Sequence, residues 1–302
     1  MKKFVLVLLL SCVTTFLGAE PPAASAPQGG ERKPALPAGV RVYSNLEYSR
    51  PGGTPLLLDL YLPQRNEGRL PVIVWIHGGG WRAGNKEGCH AIGMAPRGYA
   101  VASINYRLSQ EAVFPAQIED CKAAIRYLRA EADWYNLDRD HIGVWGASAG
   151  GHLAALVGAA GDARQLDGGG GNLKFSSRVQ AVCDWFGPSD FSQFAAGTGA
   201  ADGVVAQLLG GPVSEKSELA AMASPVTHVT KDDPPFLVMH GGKDNLVSLE
   251  QSRRLYDALK GAGVEVTLRV LPGAGHGGPA FSSPEILEEV AVFFDRHLKG
   301  RP

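Results

Sequence analysis

Residues 146–152 read Gly-Ala-Ser-Ala-Gly-Gly-His, a Gly-x-Ser-x-Gly pattern set between an apolar run at 142–145 and a small apolar stretch at 153–157. A serine hydroxyl attacks a carbonyl only when a base removes its proton and an acid holds that base in the right tautomer. Downstream, Asp244 follows the apolar run 236–239, and His276 follows the apolar run 264–271. The order Ser148, Asp244, His276 is that of an acyl-transfer triad mounted on a parallel sheet. Such chemistry also needs donors for a tetrahedral oxyanion. The run Ile76-His77-Gly78-Gly79-Gly80-Trp81 offers unobstructed backbone N–H groups at Gly79 and Gly80, to which the N–H of Ala149 adds a third. A phosphate loop is the competing reading of these glycines, but Asn85 stands where the essential lysine belongs.

Asp184 is the rival acid, since it also ends an apolar run. Asp244 is preferred because its loop immediately precedes the loop of the histidine. His77, His152 and His240 flank glycine turns and are read as hydrogen-bonding those turns. His90, His141, His228 and His297 show no metal-ligand spacing, so neither a metal nor a cofactor is called for. Arg107 and Asp120 are expected to form a structural ion pair bracing the loops.

The elements that must position these residues are legible from periodicity. The segment 56–62 alternates partially, as a half-exposed strand does, whereas 71–76 is continuously apolar, as a strand covered on both faces must be. Further runs of the second kind lie at 99–104, 142–145, 179–182, 236–239 and 264–271. Between them, Ile118, Cys121, Ile125 and Leu128 fall on one helical face, as do Leu255 with Leu259, and Ile286, Val290, Phe293, Phe294 and Leu298. Strands alternating with helices predict a three-layer α/β sandwich around a mainly parallel sheet of roughly eight strands. Two stretches fall outside the alternation. Residues 161–177 are a glycine-rich excursion, and 190–233 is a long insertion expected to form a small lid or rim.

The whole chain has 302 residues with 29 Lys+Arg against 30 Asp+Glu. That near-balance argues against nucleic acid or an anionic membrane surface as the main partner. Met1-Lys2-Lys3, the apolar run 4–17 and Gly18-Ala19 have the pattern of a secretory signal peptide over residues 1–19, which predicts export to the periplasm or medium and no stable membrane insertion after cleavage. Lipid anchoring at Cys12 is the second reading. Residues 20–39 hold five Pro, five Ala and three Gly and read as a linker, so the folded domain is expected over 40–302. Cleavage leaves Cys89, Cys121 and Cys183, with a Cys89–Cys121 bridge as one alternative to buried thiols.

The combination of Leu56-Leu57-Leu58-Asp59-Leu60-Tyr61-Leu62-Pro63, His77-Gly78-Gly79-Gly80-Trp81, Ile104-Asn105-Tyr106-Arg107-Leu108, Phe114-Pro115-Ala116, residues 146–153 and Asp184-Trp185-Phe186-Gly187-Pro188 resembles the α/β-hydrolases of the hormone-sensitive-lipase and acetylxylan/feruloyl-esterase-like (BD-FAE-like) group. The resemblance runs from about residue 56 to 298. It implies Ser148, Asp244 and His276 as the triad and Gly79, Gly80 and Ala149 as the oxyanion hole. It further implies a carboxylesterase acting on small-molecule or carbohydrate esters. A large N-terminal helical cap is absent from the sequence, which implies an open site and short acyl chains. Trp81, Trp185 and Phe186, with Phe191, follow expected strand ends and are candidates to stack on a sugar or an aromatic acyl group. A prolyl-oligopeptidase-like exopeptidase and a non-catalytic binding module are the alternatives. The His-Gly-Gly-Gly run and the intact triad weigh against them.

Overall fold

A computed structural model describes residues 36–194 and 202–300. The expected signal peptide, Cys12 and residues 20–35 of the linker lie outside the described residues.

Eight strands form one sheet: β1 (Val40–Ser49), β2 (Leu56–Pro63), β3 (Leu70–Ile76), β4 (Ala100–Ile104), β5 (Leu137–Ala147), β6 (Ala181–Trp185), β7 (Phe236–Gly241) and β8 (Val266–Leu271), in the order β1-β2-β4-β3-β5-β6-β7-β8. β1 pairs with β2, and β2 with β4, antiparallel; every other pairing is parallel. Chain order reverses between β3 and β5. Their carboxyl ends therefore open a crevice, the place where such sheets bind ligands.

The continuously apolar strands are covered on both faces, and their alternate residues divide between two cores. Val72, Val74 and Ile76 join α1 (Ala116–Ala130), α3 (Ala149–Ala159) and α6 (Leu249–Ala262) on one side. Ile73 and Trp75 join the 3-10 turn His90–Arg97 and α7 (Pro284–Lys299) on the other. The short helix α2 (Ala132–Tyr135) leads into β5. Ser248 and Ser283 cap α6 and α7 by accepting the N–H of Glu250 and Ile286, satisfying donors the helix cannot pair itself. The three cysteines are free and buried. Cys89 and Cys121 belong to opposite sides of the sheet, so the alternative of a bridge between them is set aside.

Three boundaries differ from expectation. β1 is not legible as a strand in the sequence, because bulges at Tyr43/Leu46 and Glu47/Ser49 break its alternation. β6 begins at Ala181 and runs through the Asp184-Trp185 pair, later than the 179–182 run. The 190–233 insertion contains α4 (Asp202–Leu209) and α5 (Ser217–Ala223), whose Val205, Leu208, Leu209, Ala220 and Ala223 complete the core beside α3. The glycine-rich stretch is tied down by α1. Arg126 donates to the carbonyls of Gly171 at 3.0 Å and Asp167 at 2.9 Å, and the buried Lys122 pairs with Asp167 at 2.7 Å.

Arg107, just after β4, grips Asp120 on α1 through its backbone N–H at 2.9 Å and its guanidinium at 2.8 Å. Burial raises the Asp120 pKa more than the arginine's hydrogen bonds lower it, so the carboxylate depends on its partner. Asp120→Asn, which leaves Glu119 at 3.3 Å as the arginine's remaining carboxylate, is expected to lower unfolding stability by ~2 kcal/mol. A urea midpoint equal to that of the parent chain would show the pair to be dispensable.

Candidate active site

Ser148 sits between β5 and α3 at φ 56° and ψ −120°, backbone geometry that is costly for a residue with a Cβ. The flanking glycines make that turn feasible. A Cβ at Gly146 would lie 2.1 Å from the carbonyl oxygen of Gly150, and one at Gly150 would lie 2.0 Å from that of Ile76. The Ser148 N–H is held by the Trp185 carbonyl at 2.8 Å, tying the turn to the end of β6.

His276 reaches this serine from the loop after β8. Its Nε2 lies 2.7 Å from Ser148 Oγ, and its Nδ1 lies 2.7 Å from Asp244 Oδ2. A carboxylate only accepts, so Nδ1 carries the proton and Nε2 is left to accept from the serine hydroxyl. Asp244 is itself held on every side. Its Oδ1 accepts from the N–H groups of Leu246 at 2.9 Å and Val247 at 3.0 Å. Its Oδ2 receives a further contact from His240 Nε2 at 3.2 Å. Burial pushes the Asp244 pKa up, but the hydrogen bonds from His240, His276 and the two amides outweigh it and hold the group well below the usual carboxylate range. Such an acid stays ionised and can offset an imidazolium at His276.

Asp184 lies elsewhere. It is fully buried, its Oδ1 accepts from the Gly187 N–H at 2.9 Å, and burial pushes its pKa up to about 6. Asp244, the preferred acid, is the one in contact with the histidine.

The loop after β3 carries the glycines. Gly79 adopts φ 106°, and a Cβ there would come 2.2 Å from the Ala83 carbonyl oxygen, so the tight 79–83 turn requires glycine. Trp81, at φ 56°, is clamped beside it. Its Nε1–H donates to His152 Nδ1 at 3.1 Å, and His152 Nε2–H donates to the Ala223 carbonyl at 2.7 Å. His152 thus links the glycine loop to α3 and α5, as a neutral ring accepting on one nitrogen and donating on the other. His77 donates from Nδ1 to the Gly78 carbonyl at 2.8 Å and stacks on Tyr106 with centroids 4.3 Å apart. His240 contacts Ser252 Oγ at 2.7 Å and the Val247 carbonyl at 2.9 Å as well as Asp244. The expectation that these three brace loops describes their contacts. That His240 braces the acid itself is new, and only the His-Gly-Gly-Lys-Asp spacing hinted at it.

One cavity of about 390 Å³ collects Ser148 and His276 with Gly79, Gly80, Ala149, Trp81, Arg82, Pro188, Val204, Val205, Leu246 and Val247. All three expected oxyanion donors therefore line the same cavity as the serine. Of the expected aromatic contacts, Trp81 lines this cavity and Trp185 and Phe186 do not. Trp185 is 1% exposed and stacks edge-on with Trp145 at 4.8 Å in the core of the α7 side. Phe186 packs against His276 at 4.8 Å and Phe281 at 4.6 Å, behind the imidazole. Phe191 is buried against His152. The expectation of a stacking role for Trp185 and Phe186 is corrected accordingly. β6 ends at Trp185, so both rings lie against neighbouring elements before the chain reaches the crevice. The cavity wall instead comes from α4 and the 246–247 loop, residues that no motif marked.

Burial lowers the pKa of His77 and of His152 to about 4 from 6.5. Between these values the unfolded chain binds protons that the folded state refuses. Stability is therefore complete above pH ~6.5 and falls as pH drops towards 4, by roughly 3 kcal/mol per histidine. Asp184 acts in the opposite sense, because its raised pKa lets the folded state bind a proton earlier. The raised pKa values of Asp120 and Asp233 act with Asp184 and the lowered pKa of His297 acts with the two histidines, whose large shifts decide the sign, so the melting temperature is expected to fall between pH 7 and pH 4.5. A His152→Gln variant with the same slope would remove that histidine from the account.

Residues 58–259 match the family model BD-FAE. Among curated proteins, the chain is 35% identical over 201 residues to the probable carboxylic ester hydrolase LipM of Mycobacterium tuberculosis, covering 64% of this chain and 46% of LipM. It is 34% identical over 215 residues to the esterase LipC of the same organism, covering 68% and 53%. The chain thus spans about half the length of these curated relatives. Among solved structures, a truncated carbohydrate esterase from gut microbiota superposes with a TM-score of 0.79 at 34% identity, covering 86% of this chain and 96% of that one. The Thermogutta terrifontis esterase Est2 superposes with a TM-score of 0.72 at 26% identity, covering 87% and 94%.

Proposed function

The chain belongs to the BD-FAE family of α/β-hydrolases, and from that premise we propose that it is an exported serine carboxylesterase that removes short acyl groups from small-molecule or carbohydrate esters. The observation that carries the reading is His276, which touches both Ser148 and Asp244 at the edge of one apolar cavity. The donor and acceptor senses of these contacts support one assignment of roles. Ser148 Oγ attacks the ester carbonyl while His276 Nε2 takes its proton, and the tetrahedral oxyanion is received by the N–H groups of Gly79, Gly80 and Ala149. The same Nε2 proton then goes to the leaving alcohol, which departs from an acyl-Ser148. Water, deprotonated by His276, releases the acid and restores the serine.

Size and polarity support short acyl groups. The cavity holds about 390 Å³ and is bordered by valines, a leucine and a proline, a lining that accommodates an acetyl or small aromatic acyl group better than a long chain. Acetyl or feruloyl esters of plant-wall polysaccharide are the substrate class in view. The carbohydrate-esterase neighbour and the expected signal peptide at 1–19 support that class.

The test is hydrolysis of p-nitrophenyl acetate, butyrate and octanoate by the purified chain, beside acetate release from acetylated xylan. Acetate and butyrate are expected to be cleaved at least about tenfold more efficiently than octanoate, as a small pocket discriminates by chain length. Equal rates on all three would refute the short-chain assignment.

A further inference from the structure

Among the described residues that border the cavity, Arg82 is the only one with a permanent charge. No carboxylate among the described residues forms an ion pair or hydrogen bond with its guanidinium, and residues 195–201, Ala-Ala-Gly-Thr-Gly-Ala-Ala, contain no acid. Its backbone is fixed nonetheless. The Arg82 N–H donates to the Gly79 carbonyl at 3.2 Å, and the Ala83 N–H to the same oxygen at 3.0 Å. On the other side, Gln110 Nε2 donates to the Arg82 carbonyl at 2.6 Å. The preceding Trp81 ring is pinned on His152. An exposed cation without an internal partner among the described residues thus leaves a turn that also carries Gly79 and Gly80, two of the three candidate oxyanion donors.

We propose that Arg82 binds a carboxylate on the alcohol part of the ester, which makes uronic-acid-bearing glycan esters preferred substrates. This rests on the esterase reading above and narrows its substrate. A guanidinium pairs a planar carboxylate through two parallel N–H donors. One cation balances the single charge of a carboxylate and leaves a phosphate dianion half-neutralised. Pro188, Val204, Val205, Leu246 and Val247 make the rest of the wall apolar, a surface for an uncharged acyl group. The carboxylate therefore belongs to the alcohol.

The experiment compares monoacetyl esters of methyl glucuronoside and methyl glucoside, matched in acetyl position, with p-nitrophenyl acetate as reference. The two glycosides differ in a carboxylate against a hydroxymethyl group. The parent chain is expected to prefer the uronate by about five- to tenfold in kcat/KM, the effect of one partly solvated charged contact. The preference should reside in KM and shrink as NaCl rises from about 20 to about 500 mM, because salt screens exposed charges. In Arg82→Gln the ratio is expected to fall to about one, and Arg82→Lys should retain part of it. A parent chain that cleaves p-nitrophenyl acetate without preferring the uronate overturns the proposal alone, as does a preference that survives in Arg82→Gln. A folded parent chain that cleaves none of the three esters overturns the esterase reading itself, and this proposal with it.

Discussion

Ser148→Ala is expected to lower kcat for p-nitrophenyl acetate by a factor on the order of 10⁶, to the residual rate that binding and oxyanion donors alone sustain. The fold should be indifferent to the change. Ser148 Oγ has His276 as its hydrogen-bond partner, whereas the strained turn is held by the serine's own N–H on Trp185 and by Gly146 and Gly150. Alanine keeps the Cβ and every one of those constraints. Thermal unfolding within ~2 °C of the parent chain, together with lost turnover, is the result that places the nucleophile. Undiminished turnover would move the chemistry to another residue. A well-folded parent chain without any ester turnover would direct attention to peptide substrates or to a binding role.

The second large effect separates the two candidate acids. Asp244→Asn is expected to reduce kcat by ~10⁴, because an amide can present its NH2 to His276 Nδ1 and so favour the tautomer that cannot accept the serine proton. KM should change little, since Asp244 touches the imidazole and the loop amides and does not border the cavity. Asp184→Asn is expected to cost less than about tenfold, a small effect beside that of a triad acid. The amide oxygen of the new side chain would still accept from the Gly187 N–H, as Asp184 Oδ1 does, and the contacts of His276 do not involve this position. Stability gives an independent readout. The Asp184 carboxyl titrates near 6 in the folded state against 3.8 in the unfolded chain. Its ionisation therefore costs stability as pH rises through about 6, and a neutral amide abolishes that cost. The variant should be no less stable than the parent chain at pH ~8, by as much as ~2 kcal/mol in its favour. If Asp184→Asn loses more activity than Asp244→Asn, the assignment of the acid is reversed.

These contrasts show where local pattern carries information. The Gly-x-Ser-x-Gly and His-Gly-Gly-Gly runs are legible because a Cβ in either turn would collide with backbone, at Gly146 and Gly150 in the first and at Gly79 in the second. Such constraints act over a few residues, so the sequence displays them directly. The parallel strands are legible for a similar reason: covered on both faces, they are continuously apolar. β1 escapes because it is an edge strand whose bulges disrupt the alternation.

What a residue faces is a different matter. Trp185 and Phe186 stand beside a strand end just where binding aromatics would, yet one packs on Trp145 and the other behind His276. Asp184 ends an apolar run and Asp244 follows one, and contact with His276 separates them. Val204, Val205 and Leu246 carry no motif and still border the cavity. The fold class, the serine elbow, the glycine loop and the set of residues from which a triad can be drawn are all written in the order of amino acids. Which acid meets the histidine, which aromatics are core, and that Arg82 stands at the cavity with no carboxylate partner among the described residues emerge only when the chain is folded. The reason is physical: turn geometry is imposed by neighbours within a few bonds, whereas side-chain contacts depend on how loops from distant strands converge at one sheet edge.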